Sequence, residues 1–211
     1  MGDLEQISRT IEEKIKQGCD QHFHFLESAE NEVEVAKIIS AFANSSGGSL
    51  LIGVKKNGKT IGVDPEASSK SIDYIVEDFT NGIISFSLTA ITLGRHFLLL
   101  VEVDPSEKKN SIKINNSTAY FLRVDSSLFP ANKIITKAWK LEKEKNLIKE
   151  GEEHNEIMHL SKEKEHISLS YIYKVSNFKN NRLDLALSEL IVLGRMKLIS
   201  VENEIRYSIQ R

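Results

Sequence analysis

The 211-residue chain carries 28 Lys and Arg against 30 Asp and Glu, a formal net charge of −2, with 40% hydrophobic and 27% charged residues. That balance excludes a generally basic, nucleic-acid-coating protein, so any nucleic-acid surface must be local. A single cysteine, Cys19, excludes an internal disulfide framework and a cysteine-rich zinc site, and fits a reducing compartment.

No apolar run approaches a membrane span and no signal-peptide core precedes the first acids, so no membrane partner and a cytoplasmic location are expected. The length suits two modest domains, each able to bury a core.

Residues 3–17 place Leu4, Ile7, Ile11 and Ile15 at helical spacing, with Asp3 as a cap and Gly18 as a stop. His22-Phe23-His24-Phe25 alternates as a strand would, with the phenylalanines on the buried face. Cys19, His22 and His24 are chemically able to bind a metal, but their spacing is not that of a metal site, and solvent-facing histidines are preferred. Residues 31–44 repeat Val35, Ile38, Ile39 and Phe42 as an amphipathic helix that ends at Asn44-Ser45-Ser46-Gly47-Gly48.

The next stretch admits two readings. Gly53, Gly58, Lys59 and Thr60 satisfy the phosphate-loop formula G-x-x-x-x-G-K-[ST], which requires a helix opening at the Lys-Thr. The chain instead continues Ile61-Gly62-Val63-Asp64-Pro65, which resists a first helical turn, whereas Asn57-Gly58 between β-rich runs is a hairpin signal. The hairpin is preferred.

Residues 68–86 predict a helix through Ile72, Ile75, Val76 and Phe79. Residues 88–93 and 96–103 predict a hairpin about Gly94-Arg95, the second run reading as a central strand buried on both faces. Residues 111–114 and 120–124 add strands joined at Asn115-Asn116-Ser117. Past Pro130, residues 131–149 predict a long helix whose Ile134, Ile135, Ala138, Trp139 and Leu141 cover the sheet, its charged tail acting as a solvated linker. The domain boundary is placed there, giving domains 1–150 and 151–211.

The second domain predicts three short helices over 156–160, 168–175 and 180–193, then strands 197–201 and 205–209 about Glu202-Asn203-Glu204. Helices followed by a ribbon is the order of a winged helix-turn-helix, with a small interaction domain as the alternative. In the former, the third helix enters the major groove by its N-terminus, where Lys179, Asn180, Asn181 and Arg182 offer donors to phosphates and base edges. Lys174, Arg195, Lys197 and Arg206 could add backbone contacts. Asp184 and Glu189 on the same helix oppose this.

Phe42-Ala43-Asn44, Gly47-Gly48, Leu51-Ile52-Gly53-Val54, Gly58, Ile61-Gly62 and the late run 120–127 together resemble the Schlafen-type, Alba-like (AlbA_2) domain, over residues 23–130. That family is named for DNA binding or divergent ATP binding. Asp125 stands where its R-x-G-S-S ending has Gly. The resemblance implies an α/β (α+β) domain with a mixed sheet and flanking helices, a nucleic-acid role, and commonly a C-terminal winged helix.

Some members are metal-dependent endoribonucleases that use acids around an E-F-K strand motif and after the I-G-V strand. Here His24 and Leu26 occupy the Glu and Lys positions, Lys55-Lys56 replace the acidic pair, and only Asp20 lies near. A hard divalent cation needs clustered oxygens. The expectation is therefore a DNA-binding regulator with no catalytic residue, metal or cofactor, partnered by double-stranded DNA and able to form a homodimer. Lys55, Lys56, Lys59 and Arg123 are its candidate phosphate contacts in the first domain. An RNA nuclease with rearranged acids, a nucleotide hydrolase at Gly53–Thr60, or a dimerising interaction module are the alternatives.

Overall fold

A computed structural model describes residues 2–210, with side chains from residue 6 onward, so the expected roles of Asp3 and Leu4 lie outside the described side chains. The fold is α+β, and the chain divides into two compact units, 1–130 and 131–211.

The first unit is built on a four-stranded sheet in the order β1-β2-β4-β3, from β1 (Phe23–Leu26), β2 (Gly48–Ile52), β3 (Phe86–Leu93) and β4 (His96–Val103). β1 and β2 run parallel and the other pairs antiparallel, so the sheet is mixed. β4 lies between β2 and β3 and buries Leu98, Leu99, Leu100 and Val101, because both faces of the sheet are covered.

Helix α1 (Gly2–Gln17) brings Ile11 and Ile15 onto Phe23, Phe25, Leu51, Leu98 and Leu100. On the opposite face, α2 (Glu32–Asn44) and α3 (Pro65–Phe79) pack Ile38, Ile39, Phe42, Ile72 and Ile75 on Leu50, Ile52, Leu99 and Val101. A second antiparallel sheet of β5 (Ser111–Ile114), β6 (Ser117–Val124) and β7 (Ser127–Pro130) packs on α2, adding Ile112 and Phe121 to that core.

Three differences from expectation have physical causes. α3 starts at Pro65 and stops at Phe79, because Asp64 caps it by accepting from the Glu66 and Ala67 amides at 2.9 and 3.2 Å, with Pro65 in the first turn. β7 follows a tight turn in which Asp125 adopts φ 55°, the conformation the family pattern meets with Gly. The helix expected over 131–149 is cut to α4 (Lys133–Leu141), followed by a 3-10 segment (Glu142–Leu147) with no buried residue to hold an α-helix.

α4 also corrects the expected boundary at 150. Ile134 joins the core of the second unit, with Ile157, Ile172, Leu183, Leu187, Leu190 and Tyr207, rather than covering the sheet. That unit continues through α5 (Glu152–Lys162), α6 (Leu169–Val175), α7 (Asn180–Val192), β8 (Met196–Val201) and β9 (Glu204–Ile209). Glu202 and Asn203 both take positive φ in the two-residue β8–β9 turn, and an antiparallel bridge from Ile167 to Tyr207 adds a third chain to the ribbon.

Candidate nucleic-acid interface

The phosphate-loop match folds as a turn. Val54 bridges Thr60, the Lys55 amide donates to the Lys59 carbonyl at 2.9 Å, and the Gly58 amide donates to the Lys55 carbonyl at 2.8 Å. Gly58 sits at φ 81°, and the Lys59 amide donates to Asn57 Oδ1 at 3.1 Å. The Ile61 and Gly62 amides both donate to the Gly53 carbonyl. Of the amides that would cradle a phosphate, those of Lys55, Gly58 and Lys59 are bonded inside the turn, and no helix opens at Lys59-Thr60.

Of the first-unit candidates, Lys56 and Lys59 are exposed on this turn, while Lys55 pairs with Glu27 at 3.3 Å. Arg123 is a correction. It is only 3% exposed, with its guanidinium over the Phe42 ring at 4.8 Å. Its Nη2 donates to the Asp20 carbonyl and, at 3.2 Å, to the Ser126 carbonyl. β6 turns this side chain inward to serve orphan loop carbonyls, which removes it from any phosphate.

Asp20, the one acid expected near the nuclease positions, is also committed. Its Oδ1 accepts from the His22 and Phe23 amides, each at 2.7 Å. His24 lies 3.5 Å from Arg123 Nη1, and burial, aided by the Arg123 charge, lowers its pKa to about 4. A cation beside a histidine disfavours a second one. Among the described residues, no group of three His, Cys, Asp or Glu could hold a metal ion.

Gly47-Gly48 likewise has a packing role. A Cβ on Gly48 would overlap the Phe42 ring and come 2.8 Å from the His22 carbonyl oxygen. Sequence reasoning placed Asn44 at a helix end and in the family pattern but gave it no role. Its buried amide donates to the Asn110 and Phe121 carbonyls at 2.7 and 2.8 Å, and its Oδ1 accepts the Asn110 amide at 2.6 Å, tying α2 to β5 and β6. Its place at a helix end beside a Gly pair, within the family run Phe42-Ala43-Asn44, was the signal.

In the second unit, the start of α7 is open. Lys179 stands at the N-cap with no side-chain cap bond, and Asn180, Asn181 and Arg182 are exposed behind it. Leu185, 41% exposed, lies one turn on. Arg182 stacks on Phe178 at 5.0 Å and pairs with Glu153, neither of which sequence spacing exposes. Lys174 and Lys197 are exposed, whereas Arg206 pairs with Glu204 at 2.8 Å and Arg195 with Glu150 at 2.7 Å.

The two acids that counted against α7 are withdrawn from its surface. Asp184 is buried, accepting from the Tyr173 hydroxyl and pairing with Lys133 at 2.7 Å. The hydrogen bond to Asp184 is the main reason that the Lys133 pKa is raised, and burial followed by that same carboxylate raises Tyr173. Glu189 meets His154 Nε2 at 2.8 Å, and His154 Nδ1 accepts the Gly151 amide at 3.0 Å, which fixes the Nε2–H tautomer as the donor to Glu189.

The Schlafen AlbA_2 family matches residues 6–132, more than half of the sequence. The chain belongs to this family. Solved structures similar to it include two from bacteria. The DIP2311 protein from Corynebacterium diphtheriae is 18% identical, with a TM-score of 0.45, over 67% of this chain and 33% of its own. The N-terminal domain of a protein named as related to the ATP-dependent DNA helicase RecG, from Nitrosomonas europaea, is 18% identical, with a TM-score of 0.44, over 55% of this chain and 86% of its own. The chain thus spans about a third of the length of the DIP2311 chain. No curated protein matches.

The AlbA_2 match ends at the junction of the two units, so it describes the first and leaves the α7 surface outside it. Among the described residues, no helix is long and apolar enough to cross a membrane.

Proposed function

We propose that residues 131–211 form a winged helix-turn-helix domain, and that the protein is a non-catalytic, DNA-binding regulator in which this domain contacts double-stranded DNA beside an AlbA_2 domain at 1–130. The order α5, Ile167 bridge, α6, α7, β8, β9 supports the winged-helix reading, with α6 and α7 joined by residues 176–179.

The observation that carries the proposal is the start of α7. Lys179, Asn180, Asn181 and Arg182 expose cationic and amide donors around a helix N-terminus that has no N-cap side-chain bond, a set that suits phosphate oxygens and base edges. Within it, Asn181 Oδ1 accepts from the Arg182 amide. Leu185 adds apolar surface of the kind that meets a thymine methyl. Lys174 and Lys197 supply further phosphate contacts on the same unit.

Charge favours the same unit. The first carries 13 basic and 18 acidic residues, and the second 15 and 12. A polyanion is drawn to the second. Arg182 is held by Glu153, so DNA exchanges one carboxylate for a phosphate there. Specificity then rests on Asn180, whose amide can pair bidentately with adenine, since Asn181 Oδ1 accepts from the Arg182 amide at 3.0 Å.

A labelled duplex titrated with the full chain at rising salt tests this. Binding that weakens with salt, and falls about tenfold or more in Lys179→Ala with the fold intact, is the expected result. Failure to bind any duplex at low salt would overturn it, as would cleavage of structured RNA in Mg²⁺ or Mn²⁺.

A further inference from the structure

The two edges of the four-stranded sheet are treated very differently. β1, at one edge, has four residues and is dressed by the chain before it. The Phe23 amide donates to Asp20 Oδ1 at 2.7 Å, and the Phe23 carbonyl accepts from the Asp20 amide at 2.9 Å. Those contacts leave little ladder for another strand to join.

β3, at the other edge, has eight residues, Phe-Ser-Leu-Thr-Ala-Ile-Thr-Leu, with no charge and no Pro. It pairs with β4 through eight consecutive registers without a bulge. The two-residue Gly94-Arg95 turn makes Leu93 and His96 a mutually hydrogen-bonded pair, so Ile91, Thr89 and Ser87 also bond inward. Phe86, Leu88, Ala90 and Thr92 therefore direct their amides and carbonyls outward. The Thr92 carbonyl shows this directly, accepting from Ser8 Oγ at 3.2 Å. Among the described residues, nothing bonds the outward groups of Phe86, Leu88 and Ala90.

Edges of this length are ordinarily interrupted by Lys, Pro or a bulge, and β3 has none of these. We infer that the β3 edge is a dimer interface, occupied by β3 of a second copy of this chain running antiparallel about a two-fold axis near Leu88. Phe86 then lies opposite Ala90 of the second copy, and Thr92 keeps its bond to Ser8.

The strand itself selects this occupant. Two-fold pairing lays a sequence against its own reverse, so charges on the strand would be brought close to their own copies, and an uncharged strand avoids this. Alternate outward amides and carbonyls are self-complementary in the antiparallel sense. Ile83, just before β3 and 95% exposed, gains cover from the hairpin end of the second copy's β3. The interface is independent of the DNA-contacting reading, since it lies wholly in the first unit.

Sedimentation equilibrium of the full chain from about 1 to about 100 µM tests the assignment. The expected result is a reversible dimer, weakened about tenfold or more by Ala90→Pro, which removes an outward amide in each copy, and unchanged by Ala90→Ser. Thr89→Lys, on an exposed side chain, introduces opposed charge without touching the core and weakens the dimer in the same direction, which decides the matter should Ala90→Pro unfold. A wild-type monomer across the range overturns the assignment, as does a dimer of unchanged strength in folded Thr89→Lys.

Discussion

The two units use the same kinds of residue in opposite ways. In the AlbA_2 unit, Arg123, Asn44 and Asp20 are turned onto backbone carbonyls and amides that loops and helix ends leave without partners. In the second unit, the acids of α7 are the residues turned inward, onto Tyr173, Lys133 and His154, and Lys179 and Asn180 are left in water while Arg182 meets Glu153. A polar residue is available to a ligand only when no orphan backbone group or buried counter-charge claims it first. Residue type alone therefore overstates how many polar side chains of the first unit are open to any ligand.

The largest effect should come from Arg123→Ala. Removing a buried guanidinium that bonds two carbonyls and stacks on Phe42 is expected to cost about 3–5 kcal/mol, read as a lower urea midpoint of the first unit. Duplex affinity measured in native buffer should stay within about twofold, provided the variant folds. A large affinity loss with stability unchanged would break the contrast, because it would make Arg123 a ligand-facing residue.

Next in size is the pH response of the same cluster. His24 has a folded pKa of about 4, below the usual value of 6.5, so between those values the unfolded chain binds more protons. Stability is then full above pH 6.5, falls as pH drops toward 4, and levels below it, by about 3 kcal/mol in all. His24→Gln should flatten that fall in urea titrations at pH 7 and pH 4.5. An unchanged slope would show that the histidine does not titrate in contact with Arg123.

Asp64→Ala removes the cap of α3 and should cost about 1 kcal/mol by the same titration. Smallest is Lys55→Ala, since an exposed pair with Glu27 is worth at most about 0.5 kcal/mol, and duplex affinity should barely move. A clear loss of affinity there would return the turn at 55–59 to the list of DNA contacts.

Strong apolar patterning made much of the fold legible in the chain. β4 was bounded correctly because a run apolar at every position suits a strand covered on both faces, and α2 because its buried stripe ends at a Gly pair. β7 was not, because its turn hangs on a left-handed Asp125, which no pattern of glycines marks. α4 was legible as a helix and not in its partner, since an amphipathic stripe says that it is covered and not by what.

The candidate site divides along the same line. The donors at 179–182 follow from their place at a helix start, and the turn nature of 54–60 follows from Asn57-Gly58 and the Pro that comes after. The burial of Arg123 does not, because alternation along β6 assigns faces only once the covering elements are known. The withdrawal of Asp184 and Glu189 was equally hidden, depending on Lys133 and His154 from distant segments.

The contrast is tested most directly by the salt dependence of duplex binding in three proteins: wild type, Lys55→Ala/Lys56→Ala/Lys59→Ala, and Lys179→Ala/Arg182→Ala. The slope of log affinity against log salt should be unchanged in the first variant and shallower by about 1 in the second, since Arg182 trades Glu153 for a phosphate, with affinity falling in step. A slope lost in the lysine-turn variant and kept in the α7 variant would contradict the account and move the DNA contact to the AlbA_2 unit.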